Sequence, residues 1–166
     1  DRLRSRGLGD VYKRQIYDTS SKILILGSMP SITSRKEKFY YAHPANRFWH
    51  VFEILYQTKL DTIPAKKEFL YSHHIALWDV IYSCNIKNSS DSTIKDVTYN
   101  DIPSLLAQTK IKKIYCLGRK AYDLYEKNIY LKTNIHATYL PSTSPLNASL
   151  SLEDLVRKYA IVLDNK

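Results

Sequence analysis

Apolar positions along the chain follow two alternating patterns. Lys22–Leu26 (KILIL) and Lys112–Leu117 (KKIYCL) are short continuous apolar runs, each stopped by a glycine, Gly27 and Gly118. Runs of that length read as buried parallel strands. Ile75–Val80 (IALWDV) and Ile135–Leu140 (IHATYL) are two further strand candidates. Between them the period changes to that of a helix. Asn46–Gln57 places Phe48, Val51, Phe52 and Leu55 on one face, the i, i+3, i+4, i+7 spacing. Pro64–Tyr71 opens on a proline suited to a first turn. Asp101–Ala107 follows a capping Asn100, and Arg119–Lys127 follows Gly118. Ser151–Leu163 starts with Ser151 and Asp154 in capping-box positions, then Leu152, Leu155, Val156 and Tyr159.

Strands alternating with helices predict βαβ units and a mostly parallel sheet covered on both faces. In open sheets of this kind ligands bind at the carboxyl ends of the strands. Three segments fall there: Gly27-Ser28-Met29-Pro30-Ser31, Asp79–Asn85, and Pro141-Ser142-Thr143-Ser144-Pro145. No internal repeat or low-complexity tract interrupts the pattern. The polar stretch at 88–93, NSSDST, reads as loop.

A length of 166 residues fits one domain with a substantial core. With 44% hydrophobic and 25% charged residues, the composition is that of an ordinary globular domain. No apolar run approaches the roughly 20 residues that span a bilayer, and no apolar signal-peptide core is visible. The reading is therefore a cytoplasmic protein, with Cys84 and Cys116 as reduced thiols lacking metal-ligand spacing. Residues 1–15, DRLRSRGLGDVYKRQ, hold five Lys/Arg and two Asp and show neither period. They resemble translated adapter sequence and are expected to be a disordered, non-native leader, leaving 16–166 as a single domain. Of the net charge of +9, +6 remains beyond the leader. That balance favours a polyanionic partner.

Several segments can carry chemistry. Gly27–Ser31 has a glycine for close backbone approach and a proline to stiffen the exit; it can equally be a plain βα turn. Without GxGxxG or a Walker-type GKS/T, dinucleotide binding and phosphoryl transfer lose support. In Tyr41–Trp49 (YAHPANRFW), Asn46 either caps the following helix or projects its amide into the cleft, where it could read a base edge or hold a water. Tyr40 and Tyr41 can stack an unstacked base or sit half-buried in a loop. Pro141–Pro145 holds three hydroxyls between two prolines, suited to gripping phosphate or to forming a self-satisfied turn. His73 and His74 lack a third ligand at useful spacing, so no metal site is expected.

Taken together, GSMPS at Gly27–Ser31, YYAHPANRFW at Tyr40–Trp49 and LPSTSPLN at Leu140–Asn147 resemble the uracil-DNA glycosylase superfamily. In order and spacing they are most similar to its hypoxanthine-DNA (DNA-deoxyinosine) glycosylase branch, and AHPANRFW is also similar to the mismatch-specific uracil-DNA glycosylases. The resemblance runs from about Ile23 to about Tyr159. It implies a three-layer α/β/α sandwich with a four-stranded, mostly parallel sheet. It implies a monofunctional DNA-repair enzyme that flips out a deaminated base, hypoxanthine first, and hydrolyses its N-glycosidic bond. The partner is damaged double-stranded DNA, the enzyme a monomer, and neither metal nor organic cofactor is expected. The branch's catalytic asparagine maps onto Asn46. The base pocket maps onto Gly27, Ser28, Met29, Pro30, Tyr40, Tyr41 and His43. DNA contacts map onto Ser31, Arg47, Pro141, Ser142, Thr143, Ser144 and Asn147. Where the superfamily often has a water-positioning Asp or Asn, this chain has Met29, a departure that argues against ordinary uracil excision. Arg47 could hold a phosphate or pair with Asp79. The alternatives are a uracil or mismatch glycosylase, a non-catalytic nucleic-acid-binding module of the same fold, and a small-molecule α/β enzyme.

Overall fold

Alternating side chains of four parallel strands feed two separate cores, and this sets the architecture of the computed structural model. The structure describes residues 15–29, 34, 36, 39–85 and 95–165. Residues 1–14, Pro30, Ser31 and the loop at 88–93 lie outside the described residues.

The strands are β1 (Ile23–Gly27), β2 (Ile75–Asp79), β5 (Lys113–Leu117) and β6 (Ala137–Leu140), in the order β2-β1-β5-β6. Between β2 and β5 lies an antiparallel hairpin, β3 (Ile81–Asn85) with β4 (Lys95–Tyr99). The helices are α1 (Phe48–Tyr56), α2 (Ile63–Ser72), α3 (Ile102–Ala107), α4 (Arg119–Asn128), α5 (Tyr130–Thr133) and α6 (Leu152–Tyr159), which runs into a 3-10 turn at Ala160–Asn165.

Ile23, Ile25, Ile75, Leu77, Tyr115 and Leu117 point to one face. There Phe48 and Phe52 of α1, Phe69 and Leu70 of α2, and Leu155 and Tyr159 of α6 cover them. Leu24, Leu26, Ala76, Trp78, Ile114 and Cys116 point to the other, under Ile102 and Leu105 of α3 and Ala121 and Tyr125 of α4. The period-2 alternation of a strand divides each run between the two layers. The result is the expected three-layer α/β/α sandwich on a four-stranded parallel sheet.

Local signals hold these elements in place. Thr62 caps α2, its side chain accepting from Ala65 N–H, and a proline stands in its first turn. Ser151 and Asp154 form the expected capping box on α6. Two expectations shift. Asp101, not Asn100, caps α3; Asn100 is buried and donates its amide to the carbonyls of Asp79 (2.7 Å) and Ile81 (3.3 Å). The α-helix expected to reach Leu163 tightens to 3-10 geometry from Ala160. Neither hairpin strand was expected. The short helix α5 was not expected either.

Strand order reverses at β1: the chain goes out to β2, then returns past β1 to β5 and β6. The helices after β1 and β5 therefore cover opposite faces, the topology that places a ligand crevice at the carboxyl ends of these two neighbours.

Candidate active site

Gly27 ends β1 at that crevice. A Cβ there would lie 2.8 Å from Asp79 Oδ1 and 3.3 Å from Tyr41 Oη. Only a residue without a side chain lets the ends of β1 and β2 and the Tyr41 loop meet so closely. Backbone bonds fix the meeting: Val80 N–H donates to Gly27 O (2.8 Å) and Ile81 N–H to Ser28 O (2.9 Å). Ser28 and Met29 are half-buried beside it. Asp79 is 3% exposed, its side chain enclosed against Gly27.

The two tyrosines separate sharply. Tyr40 is 2% exposed and belongs to the core; its carbonyl accepts from Trp49 Nε1 (3.0 Å). It offers no open ring face, which corrects its expected place in the base pocket. Tyr41 has φ of 56°, left-handed for a residue with a side chain. That twist turns its ring onto Phe48, with centroids 4.1 Å apart and planes 9° apart. It keeps accessible surface, so of the pair only Tyr41 can meet a ligand.

A tight turn then delivers the amide. Asn46 N–H donates to His43 O (2.9 Å), and His43 Nδ1 accepts from Ala45 N–H (3.0 Å), leaving the exposed His43 ring its Nε2–H outward. Asn46 is half-buried. Its Oδ1 accepts from Phe48 N–H at 2.9 Å and from Thr143 Oγ1 at 2.8 Å. The side chain thus takes the capping role, the first of the two options open in the sequence. It satisfies an orphan amide of α1, although Arg47 occupies the formal cap position. It also reaches the last loop, 97 residues away.

Arg47 holds that loop. Its guanidinium donates to the carbonyl oxygens of Leu150, Ser144 (3.3 Å) and Asn147 (2.8 Å), and its N–H donates to Thr143 O (3.1 Å). It neither pairs with Asp79 nor stands free for a phosphate, the two roles left open by the sequence. Arginine suits the place because its fork of fixed donors can serve several carbonyls at once.

The loop is braced from within. Ser142 Oγ accepts from Ser144 N–H and Ser144 Oγ from Leu146 N–H, each at 3.1 Å. Asn147 has both ends of its amide engaged, by Ser142 O (2.9 Å) and Ser149 Oγ (3.2 Å). Pro141 is buried, its carbonyl accepting from Tyr159 Oη. Burial, reinforced by Tyr139 and opposed by Arg47, raises the Tyr159 hydroxyl well above its ordinary pKa, so it stays a donor. Thr143 is 2% exposed. Pro141, Thr143 and Asn147 therefore build the loop, whereas Ser142 and Ser144 keep accessible hydroxyl protons.

Leu146 escaped the sequence reading. It is 94% exposed at the tip of this braced loop. An apolar residue between Pro145 and Asn147 in an otherwise polar loop was the available signal. Among the described residues no group of three or more His, Cys, Asp or Glu side chains is placed to hold a metal, and no helix is long and apolar enough to cross a membrane.

A family model described as the uracil DNA glycosylase superfamily matches residues 15–162. A relative from Methanosarcina acetivorans named Hypoxanthine DNA glycosylase is 32% identical over 148 residues, covering 82% of this chain and 87% of the relative. A Methanosarcina barkeri protein of the same name is 31% identical over 113 residues, 67% of this chain and 72% of that protein. A solution NMR structure from M. acetivorans, provisionally assigned as a uracil DNA glycosylase, superposes with a TM-score of 0.75 at 30% identity. It covers 92% of this chain and 96% of its own.

Proposed function

The chain belongs to the uracil DNA glycosylase superfamily, and from that premise we propose that it removes hypoxanthine from double-stranded DNA. The base is rotated out of the duplex and its N-glycosidic bond hydrolysed, leaving an abasic site. The relatives' names support the substrate. The observation that carries the chemistry is the Thr143–Asn46 hydrogen bond of 2.8 Å, which joins two motifs 97 residues apart.

Cleavage leaves positive charge on the sugar and negative charge on the departing base. The N9–C1′ electron pair leaves with the base, a water oxygen bonds to C1′, and the water's displaced proton balances the purine anion. Donors aimed at the base stabilise that charge without themselves losing a proton. Asn46 is the catalytic donor, with the backbone of Ser28 and Met29 lining the pocket. Tyr41, backed by Phe48, stacks on the extruded ring. His43 presents Nε2–H at the rim. Ser142 and Ser144 donate to phosphate. Leu146 fills the gap left in the stack, as apolar wedges do when they enter a groove. Flipping costs a few kcal/mol, least at a mispair, which favours lesions. The net charge of +6 beyond residues 1–15 supplies affinity that falls with salt. The enzyme acts as a monomer in the cytoplasm and needs no cofactor.

Duplexes carrying a single inosine, uracil or xanthine, incubated with protein and then treated with alkali, test this. Strand scission is expected at inosine and lost in Asn46→Ala. Scission at uracil alone overturns the substrate. Tight binding to inosine DNA without release of any base leaves a binding module of the same fold.

A further inference from the structure

Two donors end on one atom of the Asn46 side chain. Phe48 N–H lies 2.9 Å from Oδ1 and Thr143 Oγ1 lies 2.8 Å from it. A backbone N–H can only donate, so the amide atom facing it must be the oxygen; the orientation is dictated by the main chain. Thr143 then has no choice either, and its hydroxyl donates. A carbonyl oxygen has two lone pairs, and both are occupied. Nδ2 meets no acceptor among the described residues and is not one of the buried polar atoms lacking a partner, so it opens to solvent. An amide normally offers both an acceptor and donors. This one offers donors only.

We propose that Thr143 is a positioning residue that locks Asn46 as a pure donor, and that this lock selects bases presenting an acceptor, the oxopurines, over the aminopurine adenine. The proposal rests on the glycosylase reading and deepens it. Deamination of adenine replaces an exocyclic amine, a donor, with a carbonyl, an acceptor. A fixed N–H pairs with the carbonyl and opposes the amine, because two donors facing each other leave both unsatisfied. An amide free to rotate by half a turn could accept from the amine; the paired bonds from Phe48 and Thr143 prevent that turn. Negative charge moving onto the purine as the glycosidic bond breaks strengthens the same contact. With its oxygen already occupied, Asn46 cannot also orient a water through Oδ1.

Asn46→Asp separates the two roles. Aspartate keeps an acceptor for Phe48 N–H and Thr143 but puts a carboxylate oxygen where Nδ2 stood. The expected result is single-turnover release of hypoxanthine slowed at neutral pH by on the order of 10² or more, as far as in Asn46→Ala. The rate should then rise as the pH falls and the carboxyl regains an O–H, with no such rise in the wild type. Thr143→Val should slow release about tenfold with affinity for abasic-site DNA unchanged, and Thr143→Ser should restore it. Asn46→Asp within a few-fold of wild type at neutral pH overturns the proposal, as does adenine release by the wild type at a rate comparable with hypoxanthine. Wild-type release of uracil but not hypoxanthine sinks the substrate reading separately, and the Asn46→Asp comparison is then made on uracil. Release of no base overturns both.

Discussion

Adding one carbon at Gly27 tests the closeness of the three segments at the crevice. In Gly27→Ala the new Cβ stands 2.8 Å from Asp79 Oδ1, under the 3.0 Å below which such contacts are essentially never found. Retreat is hard. Gly27 and Asp79 are register partners, Val80 N–H ties to Gly27 O, and Asn100 holds the Asp79 carbonyl at 2.7 Å. On the other side Tyr41 Oη is 3.3 Å away, on a ring stacked 4.1 Å from Phe48. Overpacking of this kind costs about 1–3 kcal/mol. The lower entropy of the unfolded alanine chain offsets about 0.4–1 kcal/mol. A net loss of about 1–2 kcal/mol lowers Tm by about 2–8 °C in a domain of this size. Activity should suffer more. The carboxylate and Tyr41 must move by tenths of an ångström where the base sits, and misplacement of about 1 Å can cost about 10²-fold. We expect the single-turnover rate on inosine DNA to fall at least tenfold, measured beside thermal unfolding by circular dichroism. A variant with unchanged Tm and full activity would refute the reasoning, because the three segments could not then be in contact at Gly27.

Gly118→Ala should be destabilised through its backbone instead of a clash. Its Cβ meets only Ser142 Cβ at an ordinary 3.4 Å, but φ of 91° and ψ of 158° lie where glycine alone is comfortable, so it loses about 1–3 kcal/mol of stability in a denaturant titration. Arg47→Met removes three guanidinium bonds to the last loop. It should slow base release and cost about 1–3 kcal/mol, while the salt slope of DNA binding stays unchanged; a slope reduced by about one would reveal a direct phosphate contact. Burial raises the hydroxyls of Tyr115 and Tyr125 to about 12 each, the first helped by Asp164 and the second opposed by a bond to Thr133. A raised folded pKa means that this stability is complete below the unfolded value near 10 and is lost as pH climbs toward 12. Alkaline unfolding should therefore coincide with the appearance of these tyrosinates in ultraviolet absorbance, not precede it.

Among the described residues, the four strands of the parallel sheet and five of the six α-helices were legible in the sequence because burial on two faces writes continuous apolar runs, and burial on one face writes a 3.6-residue period. The capping box at Ser151 and the stop at Gly118 were legible because they depend on residues within one turn. The hairpin was not. Lys95–Tyr99 (KDVTY) mixes charge with a weak alternation, and Ile81–Asn85 follows β2 without a turn signal. Asn46 could be singled out from its neighbours, but its partner could not: Thr143 lies 97 residues on, in a loop whose hydroxyls look alike on paper. Tyr40 and Tyr41 are chemically identical, and only a left-handed φ at the second puts one in the core and the other at the cleft. Arg47 read as a phosphate ligand or a partner of Asp79 until three distant carbonyls claimed its donors. Sequence alone determined the layers, the sheet and the three motifs, since those follow from local period and local chemistry. Which side chains of those motifs work on a ligand and which hold the others in place was decided by tertiary structure, because a hydrogen-bonding group's role depends on which partners the fold brings within 3 Å of it.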